Sequence, residues 1–290
     1  MLEKANWSAN EPILVLAPET FTSRVFTDQV LQHETFLRFQ QFLKTHPQAT
    51  FLYGASTIER VLSYSRPHPC AYDMGEEPDG RHLWALMHNS AILTDTAGVY
   101  QLYHKSKLVV GTELTPYPKV FIPLENLLGG NLMAKDIGQK EVSCLTVAGD
   151  LPIGTAICYE SVYGEFCTEY VRKGAQLLTV ITNDAWWGDT PGYRQHLNYS
   201  RLRAIETRRW VARCANTGIS AFIDPEGHVV SRTPWWEPAL LEGTVGLSTE
   251  QTFFVRYGDM VGRVAVFLFL LLAAAAIFRG RKADGARGDK

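Results

Sequence analysis

The sequence predicts an α/β layered domain in which helices cover a mixed sheet. Three observations carry that expectation. Apolar strand-like runs alternate with helical periodicities along most of the chain. Neighbouring strands are joined by short turns, so the sheet is not purely parallel. Hydrophobic residues make up 46% and charged residues 20% of 290 positions, enough to bury a sizeable core in one large domain or two ordinary ones.

The first strand is "PILVLAPE", residues 12–19, apolar until it ends at a Pro-Glu pair. Phe36, Phe39 and Leu43 follow at spacings of three and four and predict a helix. "ATFLYGAST", residues 49–57, reads as a second strand, and the polar, turn-rich stretch 65–82 as a loop or insertion. "HNSAILTD" and "GVYQLYHKSKL" form an antiparallel pair around a turn at Thr96–Gly98. Residues 112–138, with prolines and a glycine pair, are expected to be a long surface loop near the site. "CLTVAGDLPIGTAICYE" is a strand, a turn at Gly149–Asp150 and a second strand ending at Cys158. A helix closing at Gly174 follows, then the strand "QLLTVITN" running into the loop "DAWWG". "YRQHLNYSRLRAIETRRWVARC" is expected to be one helix with Leu202, Ile205 and Ala212 on one side, and "GISAFIDPEGHVVSRT" a hairpin around Pro-Glu-Gly.

The formal net charge of -2 floods no face with Lys and Arg, so no nucleic-acid partner is expected. Five irregularly spaced cysteines make no disulfide framework and leave at least one thiol free. There is no CxxC pair, and the eight histidines form no ligand pattern with the cysteines, so neither metal nor cofactor is expected.

One segment departs from the globular pattern. Residues 264–278, "VAVFLFLLLAAAAIF", carry no polar side chain and are closed by Arg263 and Arg279. A bilayer needs about 20 residues, which Met260–Gly262 supply if Arg263 snorkels to the interface. The following residues 279–290 hold five basic and two acidic side chains, a net +3, and excess Lys and Arg mark the cytoplasmic side. The expectation is a transmembrane helix over residues 260–278, a basic cytoplasmic tail over 279–290, and residues 1–255 as a domain on the opposite, periplasmic side. "MLEKANWSANEP" has no apolar signal core, so export of that domain needs another explanation.

A cysteine after an apolar run is more often packing than chemistry. Three observations move Cys158 toward chemistry. It stands at a strand end before a helix, where ligands bind α/β sheets. Glu19 ends an otherwise apolar strand, where an unpaired carboxylate is costly. Lys105 ends another strand, and a lysine beside a thiol lowers its pKa and stabilises an oxyanion. Glu113, eight residues after Lys105, and Glu160, two after Cys158, would each be a solvated charge if taken alone, but together with the others they form one Glu-Lys-Cys set on three strand ends.

This Glu-Lys-Cys order resembles the nitrilase superfamily of carbon–nitrogen hydrolases. More narrowly, "CYES" with "TNDAWWGDTPGYRQHLNYSRLRAIETRRWVARCANTGISAFIDPEG" resembles the apolipoprotein N-acyltransferase family. The match runs from about residue 12 to 278. It implies an α-β-β-α sandwich followed by one C-terminal transmembrane helix. It implies Glu19 as general base, Lys105 as oxyanion stabiliser and Cys158 as nucleophile, with Glu113, Tyr159 and Glu160 supporting. Asn183, Trp186 and Trp187 fall on the family's Asn-Asp-Ala-Trp loop, and the tryptophans suit an apolar entrance for acyl chains. Where the family has Pro-Phe-Gly-Glu, this chain has "VVGTE".

The implied reaction moves an acyl chain from a phospholipid, through a Cys158 thioester, to the amine of a diacylglyceryl-cysteine apolipoprotein at the bacterial inner membrane. Family members carry several membrane helices, and a first strand and helix, before the Pro-Glu strand. Met1 stands eighteen residues before Glu19, so the chain is expected to be an N-terminally incomplete part of such a protein, a truncated gene model or one half of a split enzyme. Two other classes are consistent with the residues: a membrane-tethered amidase acting on a small soluble amide, and a silent, membrane-anchored interaction module.

Overall fold

A computed structural model describes residues 5, 7, 11–127 and 135–285. Two six-stranded mixed sheets stack face to face between helices. The first holds β1 (Ile13–Leu16), β2 (Thr22–Phe26), β3 (Ala49–Ser63), β4 (Tyr72–Glu76), β5 (His82–Thr94) and β6 (Tyr100–His104). β3 and β5 pair antiparallel along their full length, from Phe51–Thr94 to Ser63–His82. β1 and β2 run parallel to successive halves of β3, while β6 and β4 share the far side of β5.

The second sheet holds β7 (Leu145–Val147), β8 (Leu151–Ile157), β9 (Leu177–Asn183), β10 (Val211–Asn216), β11 (Ala221–Ile223) and β12 (Val229–Arg232). Their spatial order is β12-β11-β10-β9-β8-β7, with β8, β9 and β10 parallel. Parallel neighbours need crossover helices. These are α3 (Gly164–Arg172) between β8 and β9, and α4 (Gly192–Thr207) between β9 and β10.

The main core lies between the sheets and beneath α3. Leu52, Ala91, Leu93 and Tyr103 of the first sheet belong to one buried cluster with Ile153, Ile157, Val180 and Ile181 of the second and with Phe166 and Tyr170 of α3. Gly154 makes that packing close, since a Cβ there would meet the Tyr170 Cβ at 2.6 Å and its ring at 2.7 Å. A smaller cluster joins Phe36 and Leu43 of α1 (Glu34–Leu43) to Phe51, Tyr53 and Ile92 on the outer face of the first sheet. The result is the expected α-β-β-α sandwich.

Three local expectations are corrected. The stretch 65–82 contains β4, whose five exposed residues look like loop but pair with the overhanging end of β5. Residues 112–138 contain α2 (Pro118–Leu127); residues 128–134 lie outside the described residues. The helix expected to reach Cys214 stops at Thr207, because Arg208 turns left-handed at φ 51°. Ala212 therefore lies on β10, and Leu202 and Ile205 are exposed.

A short helix α5 (Phe253–Tyr257) precedes α6 (Met260–Gly285). Among the described residues, one helix is long and apolar enough to cross a membrane, over Met260–Ile277 with mean hydropathy 2.4 and none of that window buried. Arg263 donates to Glu165 on α3 at 2.6 Å, tying the helix base to the domain. Of the basic tail, residues 286–290 lie outside the described residues.

Candidate active site

Glu19 lies just past β1 and is 4% exposed. Its turn rests directly on β3. A Cβ at Gly54 would stand 2.5 Å from the Glu19 Cα, 2.6 Å from the Pro18 carbonyl oxygen and 2.7 Å from the Thr20 nitrogen. All three contacts are backbone, so only glycine lets the chains approach this closely. Glu19 Oε1 accepts from Lys105 Nζ at 3.0 Å and Asn89 Nδ2 at 2.7 Å, and its Oε2 accepts from the Asn183 backbone N–H at 2.8 Å.

Lys105 follows β6 and is 1% exposed. Its ammonium also donates to Glu113 Oε1 at 2.8 Å. Glu113 is held in turn by Asn89 Nδ2 at 2.7 Å and the Val109 N–H at 2.8 Å. Burial works to lower the Lys105 pKa, but the charges of Glu19, Cys158 and Glu113 outweigh it, and the net shift is upward. The ammonium is thus fixed as a cation at the edge of the thiol's surroundings.

Cys158 follows directly on β8 and opens a single 3-10 turn through Val162. Its φ is 50°, the left-handed region that costs a non-glycine residue about 1 kcal/mol. Strain of that kind persists only where neighbours enforce it. Glu160 is one enforcer: it is fully buried, and its Oε2 accepts from the Ile157 N–H at 2.8 Å. Its Oε1 accepts from the Tyr103 hydroxyl at 2.7 Å and from the Lys107 N–H at 3.2 Å. One carboxylate therefore joins the Cys158 turn to the loop after Lys105. Burial pushes the Glu160 carboxyl up to about 7 against these four lowering donors, which include the Ser106 N–H.

The Cys158 thiol is pushed up to about 12 by burial and by the charge of Glu19, offset partly by Lys105 and a hydrogen bond with Thr182. The thiol is therefore protonated at rest. Nucleophilic use of Cys158 therefore requires a base at the moment of attack.

The structure brings Glu19 and Glu113 into direct contact with Lys105 and places Cys158 within electrostatic reach of Glu19 and Lys105. Lys105 does not point to bulk solvent. Asn183 enters through its backbone N–H on Glu19, while its side chain caps the next turn by accepting from the Ala185 N–H. Trp186 and Trp187 stand outside, 77% and 45% exposed, and the Tyr159 ring packs edge-on against Tyr163.

Sequence reasoning missed Asn89, which bridges both glutamates, and Gly54, whose only signal was a glycine inside an apolar strand. It also missed His196 and Arg213, which close on Asp184 at 2.8 and 2.7 Å. Both fall within the stretch expected to be one helix, which Arg208 ends. Among the described residues, no group of three or more His, Cys, Asp or Glu side chains could hold a metal ion.

Residues 7–253 match the carbon–nitrogen hydrolase family. The apolipoprotein N-acyltransferase of Chlorobaculum tepidum is 38% identical over 204 residues, which are 68% of this chain and 38% of that protein. The apolipoprotein N-acyltransferase of Geobacter metallireducens is 37% identical over 202 residues, 69% of this chain and 37% of that one. The chain thus spans less than half the length of these curated relatives. A solved amidase of Nesterenkonia AN1 from the nitrilase superfamily superposes with a TM-score of 0.49 at 17% identity, covering 78% of this chain and 76% of that one.

Proposed function

The chain belongs to the carbon–nitrogen hydrolase family, and on that premise we propose that it carries the acyl-transfer centre of an apolipoprotein N-acyltransferase. The observation that carries the reading is the buried Lys105 ammonium, held between Glu19 and Glu113 beside a strained strand-end thiol. The relatives' names supply the direction of transfer.

In the first half-reaction Glu19 takes the Cys158 Sγ proton as the sulfur attacks the ester carbonyl carbon of a phospholipid. The electron pair moves to the carbonyl oxygen, where the Lys105 ammonium and the Tyr159 N–H receive it. The oxyanion collapses, the C–O bond breaks, and the lysophospholipid leaves with the proton from Glu19. In the second half-reaction the α-amine of diacylglyceryl-cysteine attacks the thioester. Glu19 takes a proton from the amine and returns it to the departing Cys158 sulfur. Glu113 and Asn89 keep Lys105 and Glu19 in register, and Trp186 and Trp187 form the apolar approach. The domain over residues 1–255 faces the periplasm, the helix over 260–278 crosses the inner membrane, and the basic residues after it stay inside.

The test is intact-protein mass spectrometry of the full chain in detergent after incubation with a phospholipid. The parent gains one acyl chain, which a diacylglyceryl-cysteine peptide then removes onto its own amine. Cys158→Ala gains none. An adduct that persists in Cys158→Ala overturns the nucleophile. Turnover of small soluble amides without any acyl transfer to the peptide replaces the reading with an amidase.

A further inference from the structure

We propose that His196 is a positioning residue that fixes and polarises the Cys158–Tyr159 peptide, so that the Tyr159 N–H is aimed at the oxyanion; this rests on the acyl-transfer reading above. His196 sits on α4, 38 residues from Cys158, and is 3% exposed. Its Nδ1 lies 2.8 Å from Asp184 Oδ1. Arg213 Nη2 donates to the other oxygen, Oδ2, at 2.7 Å. Burial works against the Asp184 charge, but the bond from His196 and the charge of Arg213 outweigh it and hold the carboxyl below its ordinary value. Arg213 Nη2 also lies 3.3 Å from Nδ1, so the imidazole, the carboxylate and the guanidinium close on one another.

The other ring nitrogen, Nε2, faces Ser161 Oγ at 3.1 Å and the Cys158 carbonyl oxygen at 3.2 Å. Ser161 Oγ donates to that same carbonyl at 2.7 Å. A hydroxyl has one proton, and this contact uses it. Nε2 is the second group that reaches this carbonyl, so the carbonyl of the nucleophile is held from two sides.

Two consequences follow from peptide geometry. In a trans peptide the C=O and the following N–H point in opposite directions. Pinning the Cys158 carbonyl toward α4 turns the Tyr159 N–H away from it. Drawing charge onto the carbonyl oxygen also leaves the N–H more positive and a stronger donor, as in a polarised hydrogen-bond chain. The back of the relay is rigid. Arg213 also donates to the Ile219 carbonyl and to Ser200 Oγ, each at 3.2 Å. A Cβ at Gly218 would lie 2.2 Å from Asp184 Oδ2, so glycine there leaves the carboxylate its place. The cluster ends on the nucleophile's carbonyl.

The test compares two reactions of Cys158 in the full chain in detergent. Iodoacetamide forms the C–S bond by displacing iodide and builds no oxyanion. p-Nitrophenyl butyrate passes through a tetrahedral oxyanion before p-nitrophenolate leaves, with the thiol proton taken by Glu19. His196→Ala is expected to slow acylation by about 30-fold, below the 10²–10³ of a lost oxyanion donor, while alkylation stays within about threefold. His196→Gln restores a donor and returns acylation to within about fivefold of the parent, and Ser161→Ala slows it by about fivefold. Unchanged acylation in His196→Ala overturns the proposal, as does a parallel fall of both reactions in His196→Ala and Ser161→Ala. A parent whose Cys158 reacts with neither reagent overturns the acyl-transfer reading first, and this proposal with it.

Discussion

The two sheets hold their reactive groups in different ways. On the first sheet, Glu19, Lys105, Glu113 and Asn89 hold one another, side chain to side chain, within 3.0 Å. On the second sheet, Cys158 is gripped through its backbone: Glu160 takes the N–H before it, and Ser161 and His196 take its carbonyl. The difference follows from chemistry. Carboxylates and an ammonium carry charges that can satisfy each other in a dry site. A thiol offers only weak hydrogen bonds, so its orientation must be set by the chain that carries it. The first half is therefore brittle to loss of any charge, whereas the second tolerates side-chain changes that leave the backbone turn in place.

The strongest way to break the comparison is Lys105→Ala. It leaves the buried Glu19 and the half-buried Glu113 without their shared cation, and acylation of Cys158 should fall by at least about 10³, with a stability loss of about 3–5 kcal/mol. Stopped-flow release of p-nitrophenolate and chemical denaturation check both; a stable, active variant would mean that the charges do not hold each other. Next is Gly54→Ala, whose Cβ has only backbone to push against. Glu19 must shift, and displacement by about 1 Å costs about 10²-fold in rate. Because iodoacetamide labelling also needs the base, it should slow in parallel here, unlike in His196→Ala. Gly218→Ala is the matching probe of the second sheet. It crowds the Asp184 side chain rather than backbone, so acylation should fall about tenfold with labelling preserved, less than a lost oxyanion donor costs.

The smallest effect is a pH slope. Glu160 is raised by burial from 4.5 to about 7, so the folded chain binds its proton more tightly than the unfolded chain. The stability it contributes is full below about 4.5 and is lost as pH rises through about 7. Tyr103→Phe removes one of the donors that hold the carboxyl down. The Tyr103→Phe deficit in thermal midpoint should therefore be larger at pH 8 than at pH 5, by a few degrees. An equal deficit at both pH values would show that Glu160 bears no charge in the folded chain. Asp184 has the opposite sign: its contribution is present above its ordinary 3.8 and is lost as pH falls through its lowered value.

By itself the sequence determined the layered α/β plan, the apolar terminal helix and the positions of Glu19, Lys105, Glu113, Cys158 and Glu160. Alternation of apolar runs needs no third dimension to be visible, and a carboxylate, an ammonium or a thiol at a strand end is conspicuous because burial makes it costly. Only the tertiary structure decided how these groups are held. Asn89 is one polar residue inside a strand until β5 carries it between two glutamates. Gly54 is a weak point in β3 until the Glu19 turn lies on it. His196 and Arg213 share a continuous helical pattern until Arg208 breaks it, sending one to α4 and the other to β10, where both close on Asp184. Each of these contacts joins residues at least twelve positions apart. Local periodicity records what a residue does to its own helix or strand, and carries no information about the strand or carbonyl that packing brings against it.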